Sequence, residues 1–361
     1  MKRLLFIIWL CILIQMSSAQ EPFQVGFGVS KGWIADNGPL LQQTPHYPLS
    51  VVLDLSRPIV SDSYWVQYWK YPRYGVRATW MNMPDTLAGQ MFGLDAFLEG
   101  PFLKSFHWMI GLGLSLYTNP YSRTPNPDNI FIGSYINCLI EGGIGYTFDL
   151  GNRSSLQING AFLHTSNGYL KKPNKGLNFW QIGLYYRLPS TEPSIEYEHA
   201  SPTYNNAVST PLHKVYLSYG SGIVQSRLDH PDKNYYYGWT AMAGYLYRIH
   251  PCFAVGADLD FSMNTSCFQH IKVTGDNYSL PCYIGLYATT EAYWGNLALR
   301  ISCGTEPIRA RHIGDNSFSE RVGLYYHFGK TRDQWAGLGM KLYWAKVDFL
   351  ELTYAITLFD K

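Results

Sequence analysis

From Phe23 to the end of the chain, apolar and polar residues alternate with a period of two, in runs separated by clusters of Gly, Pro, Asn and Asp. Such alternation gives a β-strand one apolar and one polar face, and turn-forming clusters mark where one strand stops and the next begins. In the first half the runs predict strands near 23–34, 47–58, 73–83, 87–103, 106–119, 130–149, 154–168 and 176–188. In the second half they predict strands near 213–224, 235–249, 253–264, 281–293, 296–304, 320–329, 336–344 and 346–359. Helix-period runs are nearly absent. Between the halves, Pro189, Pro193, Pro202 and Pro211 make 189–212 an extended connection. The predicted class is all-β: an antiparallel, outer-membrane-type transmembrane β-barrel, built either as one wide barrel or as two small barrels in tandem. Parity of strand number does not separate these two.

The start of the chain has a different character. Lys2 and Arg3 precede an apolar run from Leu4 to Ile14, followed by the small residues Ser17 and Ala19. This is the pattern of a secretory signal cleaved after Ala19, so residues 1–19 are set apart from the fold. The remaining organisation is a first barrel region over 20–188 and a second over 213–361.

No later segment carries the roughly 18 consecutive apolar residues of a spanning helix. Composition instead suits a membrane barrel: aromatic residues make up 16%, with 29 Tyr, 11 Trp and 33 Gly. One strand face of such a barrel meets lipid, and aromatic girdles mark its two interfaces. A net charge of +2 with scattered basic residues argues against nucleic acid as a partner. Past residue 19 there are five cysteines, Cys138, Cys252, Cys267, Cys282 and Cys303, with no CxxC spacing. Neither a complete disulfide framework nor a zinc site is signalled, and Cys252, Cys267 and His270 form only a weak metal cluster.

Candidate chemistry concentrates between Leu156 and Leu188. Leu156, Ile158, Gly160 and Phe162 share a face with His164 and Ser166, whereas Ser155, Gln157, Asn159 and Thr165 point the other way. The apolar face should meet lipid, so His164 and Ser166 project outward, where an ionisable group is costly and signals function. On the next strand Asn178 shares the parity of Trp180, Ile182, Leu184, Tyr186 and Leu188, which puts it near His164. A His and a Ser two residues apart on one strand face can form a general-base pair. A histidine in the interfacial belt, bonded only to its neighbours, fits the same spacing.

The run His164-Thr165-Ser166-Asn167-Gly168, then Pro173-Asn174-Lys175-Gly176 and an aromatic strand, resembles the active-site segment of the lipid A 3-O-deacylases, an acyloxyacyl hydrolase-like outer-membrane family. Ile140-Glu141-Gly142-Gly143-Ile144-Gly145 is similar to the strand before that segment. The resemblance covers roughly 130–188, and it implies a serine esterase that removes an ester-linked acyl chain from the lipid A of lipopolysaccharide. Under it Ser166 is the nucleophile, His164 the general base and Asn178 a third member. Asn174 belongs to the oxyanion region, and Asn167 and Gly168 shape the site. Lys171 and Lys172 lie in the following loop and would meet lipid A phosphates. No cofactor or metal is implied, and the oligomeric state is left open.

One position departs from the family pattern. Asn178 stands where a glutamate supports the histidine; an amide can hold the imidazole tautomer but carries no charge for an imidazolium. Glu141 is a candidate for a substitute acid, but the surrounding glycines obscure its strand face and it is not assigned to the site. Two other readings use the same barrel: a non-enzymatic channel, adhesin or scaffold, and an outer-membrane phospholipase. Residues 213–361 show no catalytic constellation.

Overall fold

The computed structural model describes residues 23–35, 47–83, 87–189, 212–225, 234–268, 282–308, 317–329, 332–343 and 346–360. The signal-like segment 1–19, the connection over 190–211 and His270 lie outside the described residues.

Eight strands make the first barrel: β1 (Gln24–Ile34), β2 (Leu49–Pro58), β3 (Arg73–Asn82), β4 (Gln90–Leu103), β5 (Phe106–Tyr117), β6 (Ile136–Gly151), β7 (Ser154–Ser166) and β8 (Leu177–Arg187). Eight more make the second: β9 (His213–Gln225), β10 (Tyr235–His250), β11 (Phe253–Asn264), β12 (Cys282–Trp294), β13 (Leu297–Ile308), β14 (Phe318–Phe328), β15 (Gln334–Tyr343) and β16 (Lys346–Asp360). Each strand pairs antiparallel with its sequence neighbour. β8 closes back on β1 with Val29 opposite Leu184, and β16 closes on β9 with Tyr219 opposite Tyr354. Of the two architectures open to the sequence, the chain therefore adopts two closed barrels in tandem.

Two local expectations are corrected. Residues 130–135, read as the start of a strand, form a loop before β6. The Asn129 carboxamide oxygen accepts the backbone N–H groups of Phe131 and Ile132, which turns the chain inward and buries Ile132 completely. A short helix, α1 (Tyr64–Tyr68), lies in the connection between β2 and β3. Its five residues are too few to produce a helical period in the sequence.

The strand alternation sorts residues as a membrane barrel requires. Phe27, Val29, Leu53, Ile144, Ile182, Leu352 and Leu358 stand exposed on the outer faces. A continuous apolar exterior of this kind is stable against lipid and not against water. The interiors are polar and filled. In the first barrel Arg77 pairs with Glu141 at 2.9 Å and Arg187 with Glu99 at 3.3 Å. In the second, Arg321 bridges Asp260 and Glu351 at 2.8 and 2.9 Å, Lys341 reaches Glu306 at 2.6 Å, and Arg300 holds Glu291.

Tight turns at 104–105, 152–153, 251–252 and 295–296 fall on one rim, together with the 59–72 connection, and the connections 118–135 and 167–176 fall on the other. Short turns face the periplasm in such barrels, so the long-loop rim faces outward. At that rim the first barrel is stoppered by an apolar cluster that includes Met81, Met91, Tyr117, Ile132, Leu163 and Phe179. The cluster backs the ends of β7 and β8 from inside.

The barrels touch at both rims. At the short-turn rim Trp69, just past α1, stacks on Trp294 at 5.3 Å and donates its indole N–H to the Tyr293 carbonyl at 3.0 Å. Tyr64 bonds His250 there, also at 3.0 Å. At the long-loop rim the connection after β7 meets β9 and β16, as described below.

Candidate active site

β7 carries its odd-numbered residues inward, with Gln157, Asn159, Ala161, Leu163 and Thr165 all buried, and its even-numbered residues outward. β8 places Phe179 and Gln181 inside and Trp180 and Ile182 outside. His164, Ser166 and Asn178 therefore share the lipid-facing side. From Ser154 to Ser166 the strand climbs about 30 Å, at ~3.4 Å per residue and a ~40° tilt, whereas the apolar band of such barrels is about 25 Å tall. The polar group sits at the upper edge of that band, where a polar outward side chain costs about 0–1 kcal/mol instead of the several at the midplane.

His164 and Asn178 are direct cross-strand partners. Asn178 Oδ1 lies 2.7 Å from His164 Nδ1, and Ser166 Oγ lies 2.9 Å from His164 Nε2. An amide oxygen can only accept, so the ring proton resides on Nδ1 and Nε2 is left as the acceptor for the Ser166 hydroxyl. That is the tautomer in which an imidazole can take a proton from serine. From the inside, Tyr117 bonds Thr165 at 2.7 Å and fixes the residue between His164 and Ser166.

The loop over 167–176 folds back over this trio. Asn167 is its organiser: its Nδ2 donates to Ser134 Oγ and to the Lys171 carbonyl, both at 2.8 Å, and its Oδ1 accepts the Lys171 N–H at 3.3 Å. Its backbone N–H donates to Asn174 Oδ1 at 3.2 Å. Asn174 is thus anchored beside the residue that follows Ser166, and its amide N–H donors have no bonded protein acceptor among the described residues. Gly176 has a φ of +75°, and a Cβ there would stand 3.0 Å from His164 Cε1 and 3.2 Å from Ser166 Cβ. Only glycine lets the chain pass this close to the pair.

Other sequence candidates fall elsewhere. Glu141 points into the lumen, paired with Arg77, on the opposite face of the sheet from His164, so it is not a substitute acid. Lys171 is exposed, and the Lys172 ammonium sits 4.9 Å from the centre of the Tyr169 ring. Cys252 lies in the turn before β11 and Cys267 beyond its far end. A twelve-residue strand at ~3.3 Å per residue separates them by about 40 Å, so they share no ion. Burial pushes the Cys252 thiol up to about 12. Among the described residues no group of three or more His, Cys, Asp and Glu is placed to hold a metal.

Sequence reasoning missed Ser134 and Gln225 at this loop. Ser134 gave no signal. Gln225 gave little more: it shares the outward parity of Val215, Leu217, Tyr219 and Ile223, as the polar His213 and Ser221 also do, and in the structure it is only 8% exposed.

Residues 53–187 match the family model "Lipid A 3-O-deacylase (PagL)", and residues 213–361 match "Acyloxyacyl hydrolase, C-terminal domain". Comparison with curated protein sequences gave no match. Among solved structures, the crystal structure of the outer membrane enzyme PagL aligns at 19% identity and a TM-score of 0.31, covering 46% of this chain and 99% of that one. A mutant Rh. blastica porin aligns at 10% identity and a TM-score of 0.19, over 93% of this chain and 100% of that one. The chain is an antiparallel outer-membrane-type β-barrel protein whose first barrel is similar to the lipid A 3-O-deacylases and whose second is similar to the C-terminal domain of acyloxyacyl hydrolase.

Proposed function

We propose that this protein is a lipid A deacylase of the bacterial outer membrane that works as a serine esterase. The observation that carries the reading is the placement of His164 between Ser166 and Asn178 on the outward side of the first barrel, at the end of β7 near the long-loop rim. A substrate held in the outer leaflet reaches such a site without leaving the membrane.

In this mechanism Ser166 Oγ attacks the carbonyl carbon of an acyl ester while its proton passes to His164 Nε2. The imidazolium keeps its Nδ1–H on Asn178 Oδ1. The tetrahedral intermediate carries an oxyanion, for which Asn174 supplies the amide donors. Collapse breaks the ester bond, and the departing sugar oxygen takes the proton from Nε2. Water then attacks the acyl-Ser166 ester and gives its proton to Nε2. Release of the fatty acid returns that proton to Ser166. Asn167 and Gly168 shape the loop, and Lys171 and Lys172 present positive charge at the outer rim for the phosphates of lipid A.

The reading is tested by incubating the purified, detergent-solubilised chain with lipid A and measuring free fatty acid. Wild type should release it and Ser166→Ala should not. Release from phospholipid vesicles with none from lipid A would replace the substrate, and equal release by Ser166→Ala would remove the nucleophile.

A further inference from the structure

The loop that covers the trio is held from outside its own barrel. Gln225, the last residue of β9, takes the Lys172 N–H on its Oε1 at 2.8 Å, and its own backbone N–H donates to the Tyr169 carbonyl at 3.0 Å. Beside it, Gly168 has a φ of +60°, and a Cβ there would run into Leu350 Cδ1 and Cγ on β16. Leu350 is only half-buried, on a strand whose next outward residue, Leu352, is 61% exposed. The loop therefore spans from Ser166 to the rim of the second barrel and back to Gly176, which packs on His164.

We propose that the second barrel is a positioning partner for the first barrel's site, with Gln225 and Leu350 holding the 167–176 loop in the conformation that sets Asn174 and Gly176 against Ser166 and His164. This rests on the deacylase reading for its chemical consequence. Beyond these two contacts the loop is tied by its internal bonds around Asn167, by the Asn167 bond to Ser134 and by two backbone bonds to Ile130 and Phe131, all toward its ends or within the first barrel. A loop freed at its middle samples more conformations, and misplacement of a donor by about 1 Å costs on the order of a hundredfold in rate. The second barrel has a filled lumen, and its contribution to the reaction is this hold on the loop.

The argument makes a distinction that simple destabilisation does not. Gln225→Met keeps the length of the side chain and removes the acceptor oxygen; Gln225→Glu keeps an oxygen in place. With the full chain in detergent, Gln225→Met should lower kcat about tenfold with little change in KM, and Gln225→Glu should stay within about threefold of wild type. Hydrogen exchange at the amides of 167–176 should quicken in Gln225→Met and not in strands β9–β16. Leu350→Ala should loosen the same loop amides and lower kcat in the same direction. If Gln225→Met matches wild type in kcat and in loop exchange while Ser166→Ala is inactive, the positioning role is overturned and the deacylase reading stands. If wild type releases no fatty acid, the deacylase reading fails; protection of the Lys172 amide that depends on Gln225 then shows the contact alone, without a catalytic consequence, and the proposal is overturned as well.

Discussion

Asn178 on β8 lies directly across the sheet from His164 on β7, and its side-chain oxygen accepts the ring Nδ1–H at 2.7 Å. The pair fixes the tautomer that leaves Nε2 free for Ser166, and it does so with a neutral acceptor. Asn178→Ala should therefore lower kcat about a hundredfold, because the ring loses both its orientation and the support for its charged form. Asn178→Asp retains the oxygen and adds a charge beside the imidazolium, so it should equal or exceed wild type by up to about tenfold. Steady-state kinetics of fatty acid release reads both; an Asn178→Ala variant with full kcat would show that the contact is structural only.

His164 and Ser166 act on the same proton. Ser166→Ala, His164→Ala and the double variant should all fall to a common residual rate, because removing the second member of a unit costs little once the first is gone. A double variant far slower than either single one would mean that the two contribute independently.

Gly176 tests the packing of the loop on the pair. Gly176→Ala puts a Cβ 3.0 Å from His164 Cε1 at a φ of +75°, at a backbone cost of roughly 1 kcal/mol or more. Heat-modifiable mobility on gels should show a folded barrel, while kcat drops by an order of magnitude or more, roughly the rate factor of 1.4 kcal/mol. Full activity would place the loop farther from His164 than 3.0 Å.

The interior of the second barrel bears on the channel reading. Arg321 and Lys341 reach over intervening strands to Asp260, Glu351 and Glu306, and Arg300 pairs with its cross-strand neighbour Glu291, all nearly inaccessible. Protein reconstituted in a planar bilayer should give no sustained porin-like conductance, and steady open currents would revive a transport role. Arg321→Ala strands two carboxylates and should destabilise the second barrel by about 3–5 kcal/mol, read as a lower denaturant midpoint.

Much of this arrangement is legible from alternation alone. Parity on β7 places His164 and Ser166 outside with Phe162, and parity on β8 places Asn178 beside them, because a strand offers only two faces. Strand ends are less legible: the run from Ile130 reads as β6, yet the Asn129 side chain pulls Phe131 and Ile132 out of the ladder. The number of barrels is not local information. It depends on whether β8 returns to β1 or continues to β9, a pairing across the whole half-chain that leaves no mark at either strand. Gln225 left no clear mark, since His213 and Ser221 are polar at the same parity, and its partner at Lys172 belongs to the other barrel with no spacing to link them. Glu141 shows the reverse limit. Its sequence neighbourhood suggests chemistry near His164, and the pleat turns it inward to Arg77.

The most direct test of the central claim is mass spectrometry of lipid A from bacterial cells expressing wild type, Ser166→Ala or His164→Ala at matched outer-membrane levels. The account predicts lipid A lacking one ester-linked acyl chain with wild type and intact lipid A with both variants. Intact lipid A in all three, or the same loss in all three, would contradict it.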